Sequence, residues 1–324
     1  MSSLARIQQP VKAEMDYFEG YFRESMKSKV PLLDIVMNYL FRRKGKQMRP
    51  LLVFLSARLN GEINQASYTG AALIELLHTA SLIHDDVVDE SYLRRGFFSI
   101  NALWRNKIAV LSGDFLLSKG LLLSIENDQV QLLKIVSEAV KEMSEGELLQ
   151  MEKARKLDIT EEVYFEIIRK KTATLIASCS AVGAKSVDAG DEKVQLMKDF
   201  GMATGIAFQI KDDIFDYESS EKIGKPTAND IKEKKMTLPL IFALNNSSSK
   251  EKRHIIHLVK NRNSNPEKLH EIIQFVVDKG GIKYATERMN EYKNKAIQLL
   301  TAYPDSPAKA SLIELVEFTT TRNK

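Results

Sequence analysis

An all-α fold is predicted by three features of the chain. Apolar residues recur at three- and four-residue spacing through most of its 324 residues, as they do along amphipathic helices. Stretches of strand-like alternation between turn signals are hard to find. Glycine (15) and proline (8) are scarce for this length, and no long Pro/Ser/Gly linker interrupts the pattern.

The elements follow in order. A helix over 4–27 stops before Pro31, one over 32–43 runs from Pro31 to the break at Gly45, and one over 49–60 ends at "NGEIN". The next, 66–89, closes before Gly96, and 101–125, 129–155 and 160–186 carry the pattern to "DAGD". A helix over 191–218 ends at "ESSEKIGKPTAND", and 235–246 ends at "NNSSSK". Helices over 251–261, 266–279, 281–302 and 307–320 complete the chain, with breaks at Gly280-Gly281 and at Pro304 and Pro307. No break reads as a domain boundary, so residues 1–324 are expected to form a single helical domain around a central bundle.

Composition narrows the function. With 44% hydrophobic and 28% charged residues the chain reads as an ordinary globular protein able to bury a sizeable core. A net charge of +4 is too mild and too evenly spread for nucleic acid, although "RRKGKQMR" and "KEKK" could meet small polyanions. The single cysteine, Cys179 in "TLIASCSAVGA", is expected to be a buried structural thiol and fits a reducing compartment. The start, "MSSLARIQQPVKAEMDYF", lacks a secretory signal, and no run reaches the ~18 uninterrupted apolar residues of a membrane span. A cytoplasmic protein without a transmembrane segment is expected.

The chemistry concentrates in a short pattern that occurs twice. "HDDVVDE" at His84 to Glu90 is answered by "KDDIFDY" at Lys211 to Tyr217, and both follow apolar helical runs. At ~100° per residue Asp85 and Asp89 share one helix face, with Asp86 one step round it; Asp212, Asp213 and Asp216 repeat the arrangement. Such carboxylates repel one another and, at a helix C-terminal end, face an unfavourable dipole. Hard divalent cations resolve the conflict, and Mg²⁺ usually shares its shell with substrate phosphates. A single D-D-x-x-D arises readily by chance, whereas two at the ends of apolar helices do not; facing each other, they would clamp a diphosphate. Cations lie nearby in sequence: Arg94 and Arg95 after the first triad, Lys46 and Arg49 in "GKQMRP", Lys171 in "RKKTATL", and Lys225 and Lys235 after the second triad. Each alone reads as surface; together they supply charge for more than one diphosphate.

These motifs, with "EGELLQ" at Glu145 to Gln150, "KTATL" at Lys171 to Leu175, "FQIKDDIFD" and "GKPTANDIKEKK", resemble in order and spacing those of the trans-polyprenyl diphosphate synthases. The resemblance implies an isoprenoid-synthase-type helical bundle with a central cavity, and head-to-tail condensation of isopentenyl diphosphate with an allylic diphosphate. It implies that Asp85, Asp86, Asp89, Asp212, Asp213 and Asp216 hold Mg²⁺ on the allylic diphosphate. Arg94, Lys171 and Lys235 would neutralise the departing diphosphate as an allylic cation forms. Lys46, Arg49, His78 and Arg95 match the isopentenyl diphosphate set, Thr172 and Gln209 match groups that help stabilise the cation, and Lys225 matches a further diphosphate contact. Family likeness also implies a homodimer, and a long isoprenoid product leaves room for transient membrane contact on release. Two departures stand out: Gln47 replaces a usual basic residue, and "FFS" at Phe97 to Ser99 replaces a usual proline-threonine.

Product length is read below the first triad. Ala80 and Ser81 are small where short-chain relatives place an aromatic plug, and Ser81 lies one ~5.4 Å turn below Asp85. Leu77 continues the same face, with the floor expected deeper, on a neighbouring helix within 107–125. A product of roughly six to eight isoprene units follows from this turn counting, supplying a quinone side chain. Rival readings are a shorter-chain geranylgeranyl or farnesyl diphosphate synthase, a terpene cyclase, a silent regulatory subunit, and a di-iron protein built on the Glu-x-x-His pairs Glu75/His78 and Glu251/His254.

Overall fold

The computed structural model describes every residue except 1–2, 43–44, 95, 155–156, 158, 223–228, 262–264 and 322–324. Its helices in chain order are α1 (Ser3–Gln8), α2 (Lys12–Ser25), α3 (Pro31–Arg42), α4 (Met48–Asn60), α5 (Gln65–Val88), α6 (Ile100–Glu126), α7 (Val130–Ala154) and α8 (Glu161–Ile168). They continue as α9 (Thr174–Lys185), α10 (Asp191–Lys222), α11 (Asn229–Lys232), α12 (Leu238–Asn245), α13 (Ser249–Asn261), α14 (Pro266–Asp278), α15 (Gly281–Leu299) and α16 (Pro307–Thr321). The strands among the described residues are β1 (Leu93–Arg94) and β2 (Phe97–Phe98), an antiparallel pair with Leu93 opposite Phe98. The all-α class is as expected.

Packing divides the chain into two compact units: Met1–Val140 with Ser178–Lys198 and Tyr303–Leu312, and Lys141–Ala177 with Asp199–Ala302 and Ile313–Lys324. Helices α7, α9, α10 and α16 contribute residues to both, so no linker separates them.

The first unit is built on α5. Asn64 caps its start, accepting a hydrogen bond from the Ala66 amide, and Ser67 completes the capping box. Leu73, Ile74 and Leu76 of α5 are fully buried with Phe54 and Leu55 of α4, each such side chain stabilising the fold by about 1.5–3 kcal/mol. Helix α6 lies close along α5: a Cβ at Gly120 would sit 2.6 Å from Leu77 Cδ1. Near its start α6 is kinked at Arg105, whose φ of +68° favours glycine. By length and composition α6 could cross a membrane, and 33% of the stretch that qualifies is buried.

The second unit has its own core, in which Ile210, Ile214 and Tyr217 of α10 meet Leu240 and Ile241 of α12, Ile272 of α14 and Ala285 of α15. Asn265 caps α14 by accepting from the amides of Glu267 and Lys268.

Three expectations are corrected. The helix expected over 4–27 is broken by a 3-10 turn at Gln9–Val11, because Pro10 cannot donate to a continuous ladder. The helix expected over 160–186 contains a π-turn at Arg169–Ala173 between α8 and α9. The helix expected from 235 begins at Leu238, behind Thr237 as N-cap and with Pro239 in its first turn.

Candidate active site

In the first unit the acids gather where α5 ends. Asp85 and Asp89 are exposed, and the Asp89 amide closes the helix on the Asp85 carbonyl at 2.8 Å. Asp86 is 5% exposed and meets the unfavourable end of the helix dipole. Arg94 on β1 relieves it: Nε lies 2.9 and 3.0 Å from the two carboxylate oxygens and an Nη lies 2.7 Å from Oδ1. Asn101 of α6 donates to the Asp86 carbonyl at 3.0 Å, tying hairpin and helices together around this residue. Arg94 and Asp86, expected in separate roles, are thus brought into one fork-shaped ion pair.

One face of α4 and α5 supplies the next cations. Arg49 donates through Nε to Glu75 Oε1 at 2.7 Å, and Glu75 is itself only 9% exposed. Both line a cavity of about 130 Å³ with Thr79, Ile83, Asp86 and Arg94. Lys46 is exposed before α4, and His78 is half-buried on α5. Arg95 lies outside the described residues. Beneath the triad, Ser81 is half-buried and donates to the His78 carbonyl at 2.9 Å, while Ala80 is 3% and Leu77 4% exposed. The open face of α5 therefore closes at Leu77, which lies over Gly120. Leu77 fills the space that a side chain at position 120 would take.

Cys179 is fully buried as expected, and burial pushes its thiol up to about 12, with Arg49 pulling down and Glu75 pushing up. The Glu-x-x-His pairs do not make a metal site. Glu75 serves Arg49, Glu251 is paired with Lys279 at 2.9 Å, and His254 meets Glu271 at 2.6 Å.

In the second unit Asp212 is half-buried, Asp213 is 4% and Asp216 7% exposed on α10. Asp213 uses both oxygens: Tyr164 of α8 donates to Oδ2 at 2.6 Å and Gln209 donates to Oδ1 at 2.9 Å. Thr172 in turn donates to Gln209 Oε1 at 2.8 Å. Burial pushes the Asp213 carboxyl up to about 7; Asp230 and Asp212 add to the rise, against the hydrogen bonds from Tyr164 and Gln209. Asp216 Oδ2 accepts from the Asp230 amide at 2.6 Å. Lys235 pairs with Glu233 at 2.6 Å and Asp230 at 3.4 Å. Burial lowers its pKa, and those carboxylates more than offset the effect. Lys171, in the π-turn, lies 2.5 Å from Glu147 of α7. Lys171, Thr172, Gln209, Asp213, Asp230 and Lys235 all line one cavity of about 250 Å³. Lys225 lies outside the described residues.

This donor set fits an oxygen-seeking cation. Among the described residues no three metal-binding side chains converge into a closed cage. Instead, the crowded acids of α10 repel one another, and the exposed Asp85 and Asp89 stand a turn apart. Mg²⁺ that keeps its waters and shares its shell with phosphate suits such open carboxylates. The sequence did not single out Tyr164, Glu147 or Asp230, and it offered Glu75 as an iron ligand rather than as the partner of Arg49. The signals for two of them were the second acid of "EGE" and the acid just ahead of the lysines in "NDIKEKK".

The polyprenyl synthetase family pattern matches residues 30–276. The chain belongs to that family. Members are prenyltransferases, and the chain's relatives carry names of that activity. It is 37% identical over 308 residues, 94% of each chain, to the all-trans-nonaprenyl-diphosphate synthase (geranyl-diphosphate specific) of Rhodobacter capsulatus. Its fold matches a decaprenyl diphosphate synthase structure from the same organism, with TM-score 0.92, 33% identity and 98% of each chain covered. A geranylgeranyl pyrophosphate synthase from Bacteroides thetaiotaomicron matches with TM-score 0.84 and 39% identity, over 99% of this chain and 100% of that one. Long- and short-chain synthases therefore both stand among the relatives of this polyprenyl synthetase.

Proposed function

We propose that this prenyltransferase condenses isopentenyl diphosphate with an allylic diphosphate, in the presence of Mg²⁺, to a long-chain all-trans polyprenyl diphosphate for a quinone side chain. The observation that carries the reading is the cavity lined by Lys171, Thr172, Gln209, Asp213 and Lys235, which joins phosphate-binding cations to polar oxygens suited to a carbocation. In the first unit Asp85 and Asp89, and in the second Asp212 with Asp216 on the same helix, would hold metal; Asp86 and Asp213 already spend both oxygens on Arg94, Tyr164 and Gln209. Bound Mg²⁺ supplies charge neutralisation for the departing diphosphate. Lys171 and Lys235 bind that diphosphate, Lys225 adds a contact, and Lys46, Arg49, His78, Arg94 and Arg95 orient the substrates. Glu75 holds Nε of Arg49, which leaves its two Nη groups for phosphate oxygens.

Small Ala80 and Ser81 support a long product. The closure of the α5 face at Leu77 favours a second reading, a shorter geranylgeranyl- or farnesyl-type product. A homodimer is supported by the exposed apolar stripe of α6. A cytoplasmic setting agrees with the single buried thiol, and the insolubility of a long isoprenoid supports transient membrane contact on its release. The test is incubation with labelled isopentenyl diphosphate, a short allylic diphosphate and Mg²⁺, with products sized by chromatography. All-trans products of about six to eight units are expected and none with EDTA. Cyclised hydrocarbon, or no consumption of isopentenyl diphosphate by the pure chain, would reject the reading.

A further inference from the structure

Four side chains of the second unit form an uninterrupted series: Tyr164 donates to Asp213, Gln209 donates to the other oxygen of Asp213, and Thr172 donates to Gln209. Its donors converge on Asp213 from both sides. The Gln209 amide turns its NH₂ toward Asp213 Oδ1, the oxygen that Tyr164 does not use, and its own oxygen toward Thr172. The single Thr172 proton is then spent on that oxygen, which leaves only lone pairs for whatever occupies the cavity that Thr172 lines. Tyr164 is 4% exposed, and its hydroxyl donates to Asp213 Oδ2 at 2.6 Å.

We propose that Tyr164 is a positioning residue: through Asp213 and Gln209 it fixes the Thr172 hydroxyl with its lone pairs toward the cavity, an electron-rich contact for an allylic cation. The inference rests on the function proposed above and adds a residue on α8 that lines the same cavity as Thr172 and acts on it through Asp213 and Gln209. Asp213 is here the anchor of the series.

The test uses the full chain and two probes: an allylic diphosphate analogue with a protonated nitrogen at the reacting carbon, and its neutral carbon isostere, each titrated calorimetrically with Mg²⁺. Tyr164→Phe is expected to weaken the ammonium probe about tenfold and the neutral probe less than about twofold, as loss of one charge-assisted hydrogen bond predicts. The kcat for condensation falls by a similar factor with both KM values held. Thr172→Val repeats the loss, and the double variant loses no more than Thr172→Val alone, as residues acting in series must. Mn²⁺ affinity read by electron paramagnetic resonance stays unchanged in Tyr164→Phe. Should that variant not fold, Gln209→Met breaks the series at the next link and reads the same probe ratio. Additive losses, equal losses for both probes, or weakened Mn²⁺ binding overturn the assignment. A wild-type chain that forms no product rejects the function, while its probe ratio still decides the role of Tyr164; binding of neither probe overturns both.

Discussion

In the proposed path of the growing chain, product length turns on Ser81. It sits half-buried one helical turn below Asp85, its hydroxyl bonded to the His78 carbonyl, with buried Leu77 a further turn below. Ser81→Phe would place a ring of much greater volume where a growing chain must pass, so the product distribution is expected to shift shorter by at least about one isoprene unit, one turn of helix. Chromatographic sizing reads the outcome, and an unchanged distribution would remove Ser81 from the path. At this scale the sequence motifs pick out residues that the fold brings together: Lys171, Thr172 and Gln209, from motifs far apart in the chain, line one cavity. Tyr164 and Glu147 were not legible, because a tyrosine or glutamate inside a helical pattern reads as core or surface. Their partners lie far along the chain; Tyr164 and Asp213 are 49 residues apart.

Among the elements, the π-turn at Arg169–Ala173 decides how Lys171 and Thr172 are presented. It is held against α7 by three ion pairs, Arg169 with Glu142 at 2.9 Å, Lys170 with Glu145 at 2.9 Å and Lys171 with Glu147 at 2.5 Å. Hydrogen bonding from Lys170 pulls the Glu145 carboxyl below its ordinary value. The approach depends on Gly146, where a Cβ would sit 2.8 Å from Lys170 Cβ and 2.9 Å from the Lys171 backbone nitrogen. Gly146→Ala is therefore expected to force the turn away from α7, costing about 1–3 kcal/mol of stability. A melting temperature lowered by a few degrees and a kcat reduced about tenfold would show it; wild-type values for both would mean that the turn is set elsewhere. Periodicity located the long helices to within a few residues, since α5 was expected over 66–89 and runs Gln65–Val88. The π-turn escaped because "RKKTA" has no breaker and one widened turn leaves the apolar period almost intact. The β1–β2 hairpin escaped because two-residue strands are too short to alternate.

For the whole molecule the open question posed by α6 is what covers it. Val110, Leu111, Leu117, Leu121, Leu122 and Ile125 are all at least 36% exposed along a helix about 40 Å long, more apolar surface than a lone soluble chain ordinarily leaves in water. Lipid is a poor cover, because Asp114 stands midway along the helix with 57% of its side chain exposed and a carboxylate there opposes burial in hydrocarbon. A second copy of the chain is the better one, since the same stripe on both partners is self-complementary and a protein contact, unlike hydrocarbon, offers Asp114 polar partners such as His84 at 3.5 Å. Leu122→Glu is expected to weaken self-association on the order of 100-fold, because it puts an unpaired carboxylate into the apolar contact. Sedimentation should then give a dimer for the wild type and, at micromolar concentration, the 36.7 kDa monomer for the variant. A wild-type monomer would leave the stripe without this cover, and an undiminished dimer in Leu122→Glu would move the interface to another face.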